Sequence, residues 1–321
     1  VQLKASPAFR ISMRILVQED ALAAASHVAH YIAQRVESFN PTEAKPFVLA
    51  LTTGTTMISV YEELIRLVEA SELSFKHVTT FNVDEFVGLP ESSPESYHNF
   101  MWTHLFKHID IVPENVYILN GNVPDLGSEC RHFEEAIERC GGIELCVGGI
   151  GVDGNFGFNE PGSSLVSRTR VKTLAHHTIV KNMARFNHDE DRVPKQALTM
   201  GVGTVLDARE VLIVICGEEK AMALQKCLEG GVNHMWTVSC LQNHARAMIV
   251  CDEDATVELR VKTVRYFKGM QKTMCTLMAG SNTGGHHLAG VRMVSKRGRN
   301  IEQGAAAAGS PAVPSKRPRD R

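Results

Sequence analysis

Residues 144–164 read ELCVGGIGVDGNFGFNEPGSS, and this stretch joins a strand-like segment to a loop with the features of a functional site. Glu144 to Gly149 is a short apolar run of the length of a buried strand. Six glycines between residues 148 and 164 indicate tight turns or a close approach of the backbone to a ligand. Asp153 and Glu160 add two carboxylates near aromatic residues, which a purely structural glycine-rich loop does not need. We therefore predict that this loop is functional.

Similar apolar runs recur along the chain and define the fold class. They alternate with segments whose apolar residues have helical spacing, which predicts βα units around a parallel sheet. We predict an α/β fold with a doubly wound, mostly parallel, Rossmann-like sheet and helices on both faces. The predicted strands are 14–17, 47–52, 77–82, 116–119, 144–149 and 210–216, and the predicted helices are 20–39, 58–70, 97–108, 128–140, 220–229 and 252–270. The last helix is predicted to begin at Asp252 because an Asp-Glu-Asp cluster suits the positive end of a helix dipole.

The composition excludes several classes of protein. The chain has 321 residues, of which 44% are hydrophobic and 22% charged, as is typical of a soluble globular protein. A formal net charge of -2 creates no field that attracts nucleic acid, and the apolar runs are far shorter than a membrane span. We therefore expect neither a nucleic-acid nor a membrane partner. Eight cysteines without a C-x-x-C pair fit neither a disulfide framework nor a zinc site, so we expect reduced thiols, a cytoplasmic protein and no metal.

The chain is predicted to have three segments. Residues 1–12 form an N-terminal extension without the apolar region of a secretory signal, and residues 13–275 form the globular domain. Residues 276–321 form a low-complexity basic tail that we expect to be disordered. From Ser281 to Arg321 there are eight Lys or Arg and two acidic residues. A nuclear-localisation or anionic-surface arm is one interpretation of this tail, and a solvated segment, which we favour, is the other.

Two further loops come directly after predicted strands, where ligands bind in an open parallel sheet. The loop at residues 52–56 reads TTGTT and enters a helix, so its N–H groups and hydroxyls form a plausible phosphate cradle, although a capped helix start also explains the threonines. The second loop carries Asp84 and Glu85. An ionised carboxylate there could remove a proton from a carbon next to a carbonyl. Adjacent residues point opposite ways on a strand, so we expect one acid to face a ligand and the other to have a structural role.

The three loops together resemble those of the glucosamine-6-phosphate deaminases, also called glucosamine-6-phosphate isomerases. The resemblance runs from about Met13 to Met270 and identifies residues 13–275 as a domain of this family. The stretches that carry it are FNVDEFVGLP at 81–90, PESYH at 94–98, FNEPGSSLVSRTRVKTL at 158–174, GVGTVLDA at 201–208 and VNHMWTVS at 232–239.

The resemblance implies conversion of glucosamine 6-phosphate and water to fructose 6-phosphate and ammonia, with no metal or redox cofactor. It implies that Asp84 is the base that moves a proton between C2 and C1, and that Asp153 and Glu160 support ring opening. The implied phosphate-binding groups are Thr53, Gly54, Thr55, Thr56 and Lys220. The residues that match the family's allosteric site for N-acetylglucosamine 6-phosphate are Ser163, Arg170, Lys172 and Tyr266. Family members are commonly hexamers, so a homo-oligomer is expected.

The phosphate loop departs from the family pattern at Thr52, Thr55 and Met57, and two further departures affect residues with an implied role. Asn155 stands where the family has the histidine that shuttles the ring-opening proton, and an amide does not titrate near neutral pH. Losing one general acid/base group typically slows its step by ~10²–10⁴-fold. The family's phosphate-binding arginine lies two residues after the position of Asn182, whereas Arg185 lies three after it. One residue of slip on a helix is a rotation of about 100°, so Arg185 reaches the phosphate only if the backbone compensates.

Three functions remain open on the sequence alone. An active deaminase is favoured by Asp84 together with the other two carboxylates, and a sugar-phosphate-binding protein with little turnover is favoured by Asn155. A related phosphosugar lactonase would need no ring-opening histidine, but it would not explain Asp84. His176 and His177 are predicted to be surface histidines and not metal ligands. His234 and Trp236 are predicted to serve in packing or in an interface.

Overall fold

The computed structural model describes residues 13–280. The strands are β1 (Arg14–Gln18), β2 (Phe47–Leu51), β3 (Val78–Asn82), β4 (Asp84–Phe86), β5 (Val116–Tyr117), β6 (Leu145–Gly149), β7 (Arg170–Thr173), β8 (Gln196–Thr199), β9 (Val211–Ile215) and β10 (Ala247–Asp252). The α-helices are α1 (Ala21–Phe39), α2 (Thr55–Glu69), α3 (Tyr97–His104), α4 (Leu126–Arg139), α5 (His176–Asn182), α6 (Val202–Leu206), α7 (Ala221–Leu228) and α8 (Val261–Gly280).

Seven strands form one parallel sheet in the order β1-β10-β9-β6-β2-β3-β5. Side chains alternate along β2, which is buried on both faces. Phe47, Leu49 and Leu51 pack in one core cluster with residues of α1 and α2. Val48 and Ala50 pack in another with residues of α4 and α7. The doubly wound sheet with helices on both faces, predicted from the sequence, is therefore confirmed.

The predicted helix over residues 252–270 is wrong at its start. Asp252 is the last residue of β10, and its carboxylate accepts hydrogen bonds from Gly217 N at 3.0 Å and from Ala255 N at 2.9 Å. The acidic cluster therefore closes a strand and caps a turn, and α8 begins nine residues later, at Val261. Since α8 continues to Gly280, the boundary predicted at residue 276 falls inside it. Residues 1–12 and the rest of the predicted tail lie outside the described residues.

A second, three-stranded antiparallel sheet has the order β4-β8-β7, and the sequence patterns did not predict it. β4 and β7 both pair with β8, so that Asp84 and Arg170 lie on either side of Thr199. β4 comes after β3 with a single residue, Val83, between them. The small sheet thereby joins the carboxyl edge of the main sheet to the segment after the glycine-rich loop.

The amino edge of the main sheet contains a buried ion cluster. Glu210 immediately precedes β9 and its side chain is fully buried. Its carboxylate accepts hydrogen bonds from Arg14 at 2.5 Å and Arg246 at 3.1 Å, and also from Arg35 and Tyr31. Each oxygen of this carboxylate therefore has two partners.

Candidate active site

The predicted phosphate loop after β2 and the glycine-rich loop after β6 meet where the strand order reverses. From β2 the chain continues to β3 on one side, and it later returns to β6 on the other side, so ligands are expected at the carboxyl ends of β2 and β6. Across this point Gly149 N donates to Thr52 Oγ1 at 3.2 Å. Gly148 is required for the approach, because a methyl group on its Cα would lie 2.5 Å from Thr52 Cγ2. The predicted phosphate loop and the glycine-rich loop are therefore neighbours.

The predicted phosphate loop presents open polar groups to this crevice. Gly54 has φ 120°, a conformation that favours glycine, and immediately precedes α2. Thr56 accepts a hydrogen bond at Oγ1 from Lys220 Nζ, at 2.8 Å. Burial lowers the pKa of Lys220, and the nearby charge of Lys181 acts in the same direction, although Glu219 opposes both. Hydroxyls, a helix N-terminus and a half-buried cation together make this part of the crevice suitable for an anion.

Asp84 is a buried carboxyl group with little to stabilise its charge. It lies at the start of β4, and its Oδ1 is buried without a hydrogen-bond partner among the described residues. Burial, with a smaller effect of the neighbouring Glu85, raises the pKa of Asp84 to about 8, while Arg185 opposes this shift. Gly157 of the glycine-rich loop lies beside it, since a methyl group on Gly157 would be 3.5 Å from Asp84 Oδ2. Asp84 is therefore held at the crevice in a form that can exchange a proton near neutral pH.

Glu85 has the structural role expected of one member of the acidic pair. Its Oε1 accepts hydrogen bonds from Phe86 N at 2.7 Å and Tyr97 N at 3.0 Å, and its Oε2 accepts one from His98 N at 2.8 Å. These N–H groups belong to β4 and to the first turn of α3. Glu85 therefore fixes the strand that carries Asp84.

The two carboxylates of the glycine-rich loop contact different partners. Asp153 is partly exposed, and its Oδ2 lies 3.4 Å from His177 Nε2. Glu160 is buried, and its Oε1 accepts hydrogen bonds from Ala175 N at 2.9 Å and Thr178 Oγ1 at 2.5 Å. The other oxygen of Glu160 lies 3.4 Å from a lysine of β7, Lys172 Nζ.

Asn155 is held by the backbone of its own loop. Its Nδ2 donates to Gly157 O at 2.8 Å, and its backbone carbonyl oxygen accepts a hydrogen bond from Gly151 N at 2.8 Å. Within residues 13–280, none of its hydrogen bonds reaches Asp153 or Glu160. Its bonding partner Gly157 in turn lies beside Asp84.

Arg185 lies beside Asp84 and is bonded away from the phosphate loop. It donates from Nη2 to Glu95 O at 2.8 Å, and its guanidinium carbon lies 5.0 Å from the centre of the Tyr97 ring and 5.8 Å from that of Phe86. Arg185, which lies one residue further along the chain than the family's phosphate-binding arginine, is thus placed among the aromatic residues around β4. Its charge lowers the pKa of Asp84 there.

Three of the four residues matched to an allosteric site lie around Glu160. Ser163 N donates to Glu160 O at 3.0 Å, and Ser163 Oγ is buried without a partner among the described residues. Arg170 donates to Asn159 Oδ1 at 3.0 Å, and Lys172 approaches Glu160 itself. The fourth, Tyr266, is exposed on α8.

Sequence reasoning missed several groups that the fold brings to this edge. Asn82 ends β3, and both atoms of its buried amide lack partners among the described residues. Lys181 of α5 lies over Gly151 of the glycine-rich loop. Trp236 has a packing role, because a methyl group on Gly154 would lie 3.0 Å from its Cε3. A polar residue at a strand end was the available signal for Asn82, whereas nothing local to Lys181 indicated its neighbours.

The described part of the chain contains neither a metal-ligand cluster nor a membrane-spanning helix. No group of three or more His, Cys, Asp or Glu side chains in residues 13–280 is placed to hold a metal ion. His176 and His177 are largely exposed, as predicted. Within the same residues, none of the helices combines the length and the apolar character needed to cross a membrane.

Comparison with known proteins gives consistent matches. The sequence profile of the glucosamine-6-phosphate isomerases/6-phosphogluconolactonase family matches residues 19–250. The glucosamine-6-phosphate deaminase of Drosophila pseudoobscura pseudoobscura is 57% identical over 258 residues, covering 80% of this chain and 94% of the relative. Glucosamine-6-phosphate deaminase 1 of Homo sapiens is 58% identical over 258 residues, covering 80% of this chain and 89% of the relative.

Solved structures extend the comparison to the fold. A monomeric glucosamine-6-phosphate deaminase has a TM-score of 0.72 and 38% identity, and the match covers 77% of this chain and all of that one. The 6-phosphogluconolactonase of Trypanosoma cruzi has a TM-score of 0.59 at 18% identity over 77% of this chain and 96% of its own, a likeness of fold alone.

Proposed function

The chain belongs to the family of glucosamine-6-phosphate isomerases and 6-phosphogluconolactonases, and we propose that within it this chain converts glucosamine 6-phosphate and water to fructose 6-phosphate and ammonia. The observation that carries this function is the 57–58% identity with curated deaminases over 258 residues. The site supports it through Asp84, since a lactone hydrolase has no need of a buried carboxyl group whose pKa is raised to about 8.

Asp84 is assigned as the base that acts on carbon. In the open-chain sugar, the proton on C2 is acidic because C1 is a carbonyl. Asp84 takes this proton while the C1 oxygen gains one, which gives an enolamine. A proton is then returned to C1 while the nitrogen loses one, which gives an imine at C2. Water then adds to C2 and ammonia leaves, which balances the overall reaction. A base with a pKa near the working pH suits both proton transfers.

The remaining roles are assigned by position around the crevice. Thr53, Gly54, Thr55, Thr56 and Lys220 bind the phosphate, supported by the bond from Lys220 to Thr56 and by the N-terminus of α2. Asp153 and Glu160 support ring opening. Asn155 contributes hydrogen bonds only, so ring opening is the step that we expect to be weakened. Arg185 is assigned to the surroundings of Asp84 rather than to the phosphate.

A cytoplasmic, homo-oligomeric enzyme is also proposed, with a hexamer as the expected assembly. None of the seven described cysteines forms a disulfide, which fits a reducing compartment. The unpartnered Ser163 hydroxyl, together with the contacts of Lys172 with Glu160 and of Arg170 with Asn159, supports an allosteric sugar-phosphate site that includes Tyr266. One structural relative is described as monomeric, so sedimentation analysis of the full chain is the deciding measurement.

The test of function is ammonia release from glucosamine 6-phosphate by the chain as it stands, beside its Asn155→His variant. We expect turnover in the parent and a faster reaction in the variant. Binding of glucosamine 6-phosphate without ammonia from either protein would support instead a sugar-phosphate-binding protein, which Asn155 favours. Hydrolysis of 6-phosphogluconolactone in place of deamination would indicate a lactonase.

A further inference from the structure

One face of α5 lies over the glycine-rich loop and carries two polar side chains that have no role in the proposed reaction so far. His177 and Lys181 are four residues apart, so they occupy the same side of the helix. His177 reaches Asp153, and Lys181 reaches Gly151, where a methyl group on the glycine would lie 3.4 Å from Lys181 Nζ.

Lys181 is a cation without an anionic partner. In residues 13–280, no carboxylate oxygen lies within the 4.0 Å of Lys181 Nζ that defines an ion pair. Burial is the largest cause that lowers the pKa of Lys220, and the charge of Lys181 lowers it further. Lys220 in turn is hydrogen-bonded to Thr56 at the start of α2. Lys220 therefore contacts this helix start, and Lys181 lies over Gly151 of the adjoining glycine-rich loop.

We propose that Lys181 binds the phosphate group of the substrate together with Lys220, an inference that rests on the proposed function for the identity of the ligand. A phosphate dianion would relieve the repulsion between the two ammonium groups and accept hydrogen bonds from both. Lys181 belongs to α5 and lies over the glycine-rich loop, which adjoins the phosphate loop through the bond from Gly149 N to Thr52 Oγ1. It supplies the second cation that Arg185 cannot supply from its place on the Tyr97 ring.

The test compares Lys181→Ala and Lys181→Arg with the parent, using inorganic phosphate as the probe. Calorimetry measures phosphate binding without turnover, and kinetics measure KM for glucosamine 6-phosphate. We expect Lys181→Ala to weaken phosphate binding and raise KM by about 10-fold or more, with kcat little changed, and Lys181→Arg to retain most of the binding. The matched control is Lys107→Ala, which removes the same charge at the amino edge of the sheet. Lys107 lies near Asp110, and the carboxylate of Asp110 accepts a hydrogen bond from Phe75 N, which precedes β3.

The outcomes separate this inference from the proposed function. Absence of ammonia release with phosphate binding that still depends on Lys181 would overturn the function and keep the anion site. Unchanged phosphate binding in Lys181→Ala, or equal losses in Lys181→Ala and Lys107→Ala, would overturn the role of Lys181. Failure of the parent to bind phosphate at all would overturn it as well.

A separate observation concerns His177. Among the described histidines that lie within 4.0 Å of a carboxylate, His177 is the one whose partner, Asp153, is assigned to ring opening. Ring opening breaks the bond between C1 and the ring oxygen, while one proton leaves the C1 hydroxyl and one joins the ring oxygen. An imidazole can make both transfers in turn, whereas the amide of Asn155 cannot. With the proposed function as its premise, the contact between His177 and Asp153 points to His177 as the acid/base group that acts with Asp153 in this step.

A double-substitution cycle tests this role. We expect His177→Gln to lower kcat by about 10²-fold, and Asn155→His to restore much of this loss in the double variant, since either imidazole then serves the same step. His176→Gln, which removes the adjacent histidine, is the matched control and should leave kcat unchanged. Unchanged kcat in His177→Gln would overturn the assignment, as would a loss that Asn155→His does not reduce.

Discussion

Two buried carboxyl groups lie at opposite edges of the same sheet, and their surroundings differ completely. Glu210 at the amino edge accepts hydrogen bonds from three arginines and a tyrosine. Asp84 at the carboxyl edge has one oxygen without a partner among the described residues, a carboxylate neighbour that raises its pKa, and a single arginine that opposes the shift. A buried charge with several partners fixes structure, whereas a buried acid left without them destabilises the fold but can exchange protons.

The largest expected effect comes from removing the reactive group. Asp84→Asn keeps the shape of the side chain but cannot accept the C2 proton, so kcat should fall by about 10²–10⁴-fold. Stability should not fall, because an amide needs no counter-charge in this buried position. Ammonia release and urea unfolding of the same preparation measure the two effects. Residual activity close to that of the parent would mean that another group is the base.

The same chemical change at the other edge should have the opposite result. Glu210→Gln leaves three arginines without their carboxylate, and breaking such a buried cluster lowers the free energy of unfolding by about 3 kcal/mol. The kcat of the folded protein should be preserved, because the cluster lies at the amino edge. Urea unfolding at neutral pH, with kinetics below the transition, checks both values. A large loss of kcat in the folded variant would show that the two edges are coupled.

The pH dependence of stability should report on the raised pKa of Asp84. Asp84 has a folded-state pKa of about 8 against an ordinary value of 3.8, so between these values the folded chain holds a proton that the unfolded chain has lost. The contribution of Asp84 to stability therefore falls as pH rises from about 4 to about 8 and then levels off. Unfolding free energies of the parent and Asp84→Asn at pH 5, 7 and 9 should diverge in favour of the variant. A constant difference across this range would show that the folded pKa is not raised.

The sequence predicted the main sheet well because its strands are local apolar runs between amphipathic helices. It failed for the small sheet, whose strands are short and whose pairing is long-range. β4 has three residues and β7 reads RVKT, and each depends on β8, more than twenty residues beyond β7 in the chain. β10 was missed as a strand although its residues are apolar, because the acidic cluster at its end was assigned to a helix.

In the candidate site, too, the sequence predicted the residues that local structure positions and missed those that long-range packing positions. Asp84, Asp153 and the threonine loop were identified from the loops that leave the predicted strands, and the structure places all three at the carboxyl edge. The positions of Arg185 and Lys181 were beyond reach of the sequence, because they depend on how α5 and the turn after it lie over the loops. Side chains at the end of a strand are fixed by the sheet, whereas those on a short crossing helix are fixed by tertiary packing.

The smallest predicted effect concerns the one arginine that affects Asp84. Arg185 lowers the pKa of Asp84, so Arg185→Ala should raise this pKa and reduce the ionised fraction at neutral pH. Because Arg185 is exposed, solvent screens the interaction, and kcat/KM at pH 7 should fall only about 2- to 5-fold. The difference in kcat/KM between the two proteins should shrink toward pH 9, where Asp84 is ionised in both. It should also shrink at high salt, which screens the effect of Arg185 in the parent. Arg185→Lys should restore most of the activity, whereas a deficit that is equal at every pH would assign Arg185 to substrate binding instead of to the ionisation of Asp84.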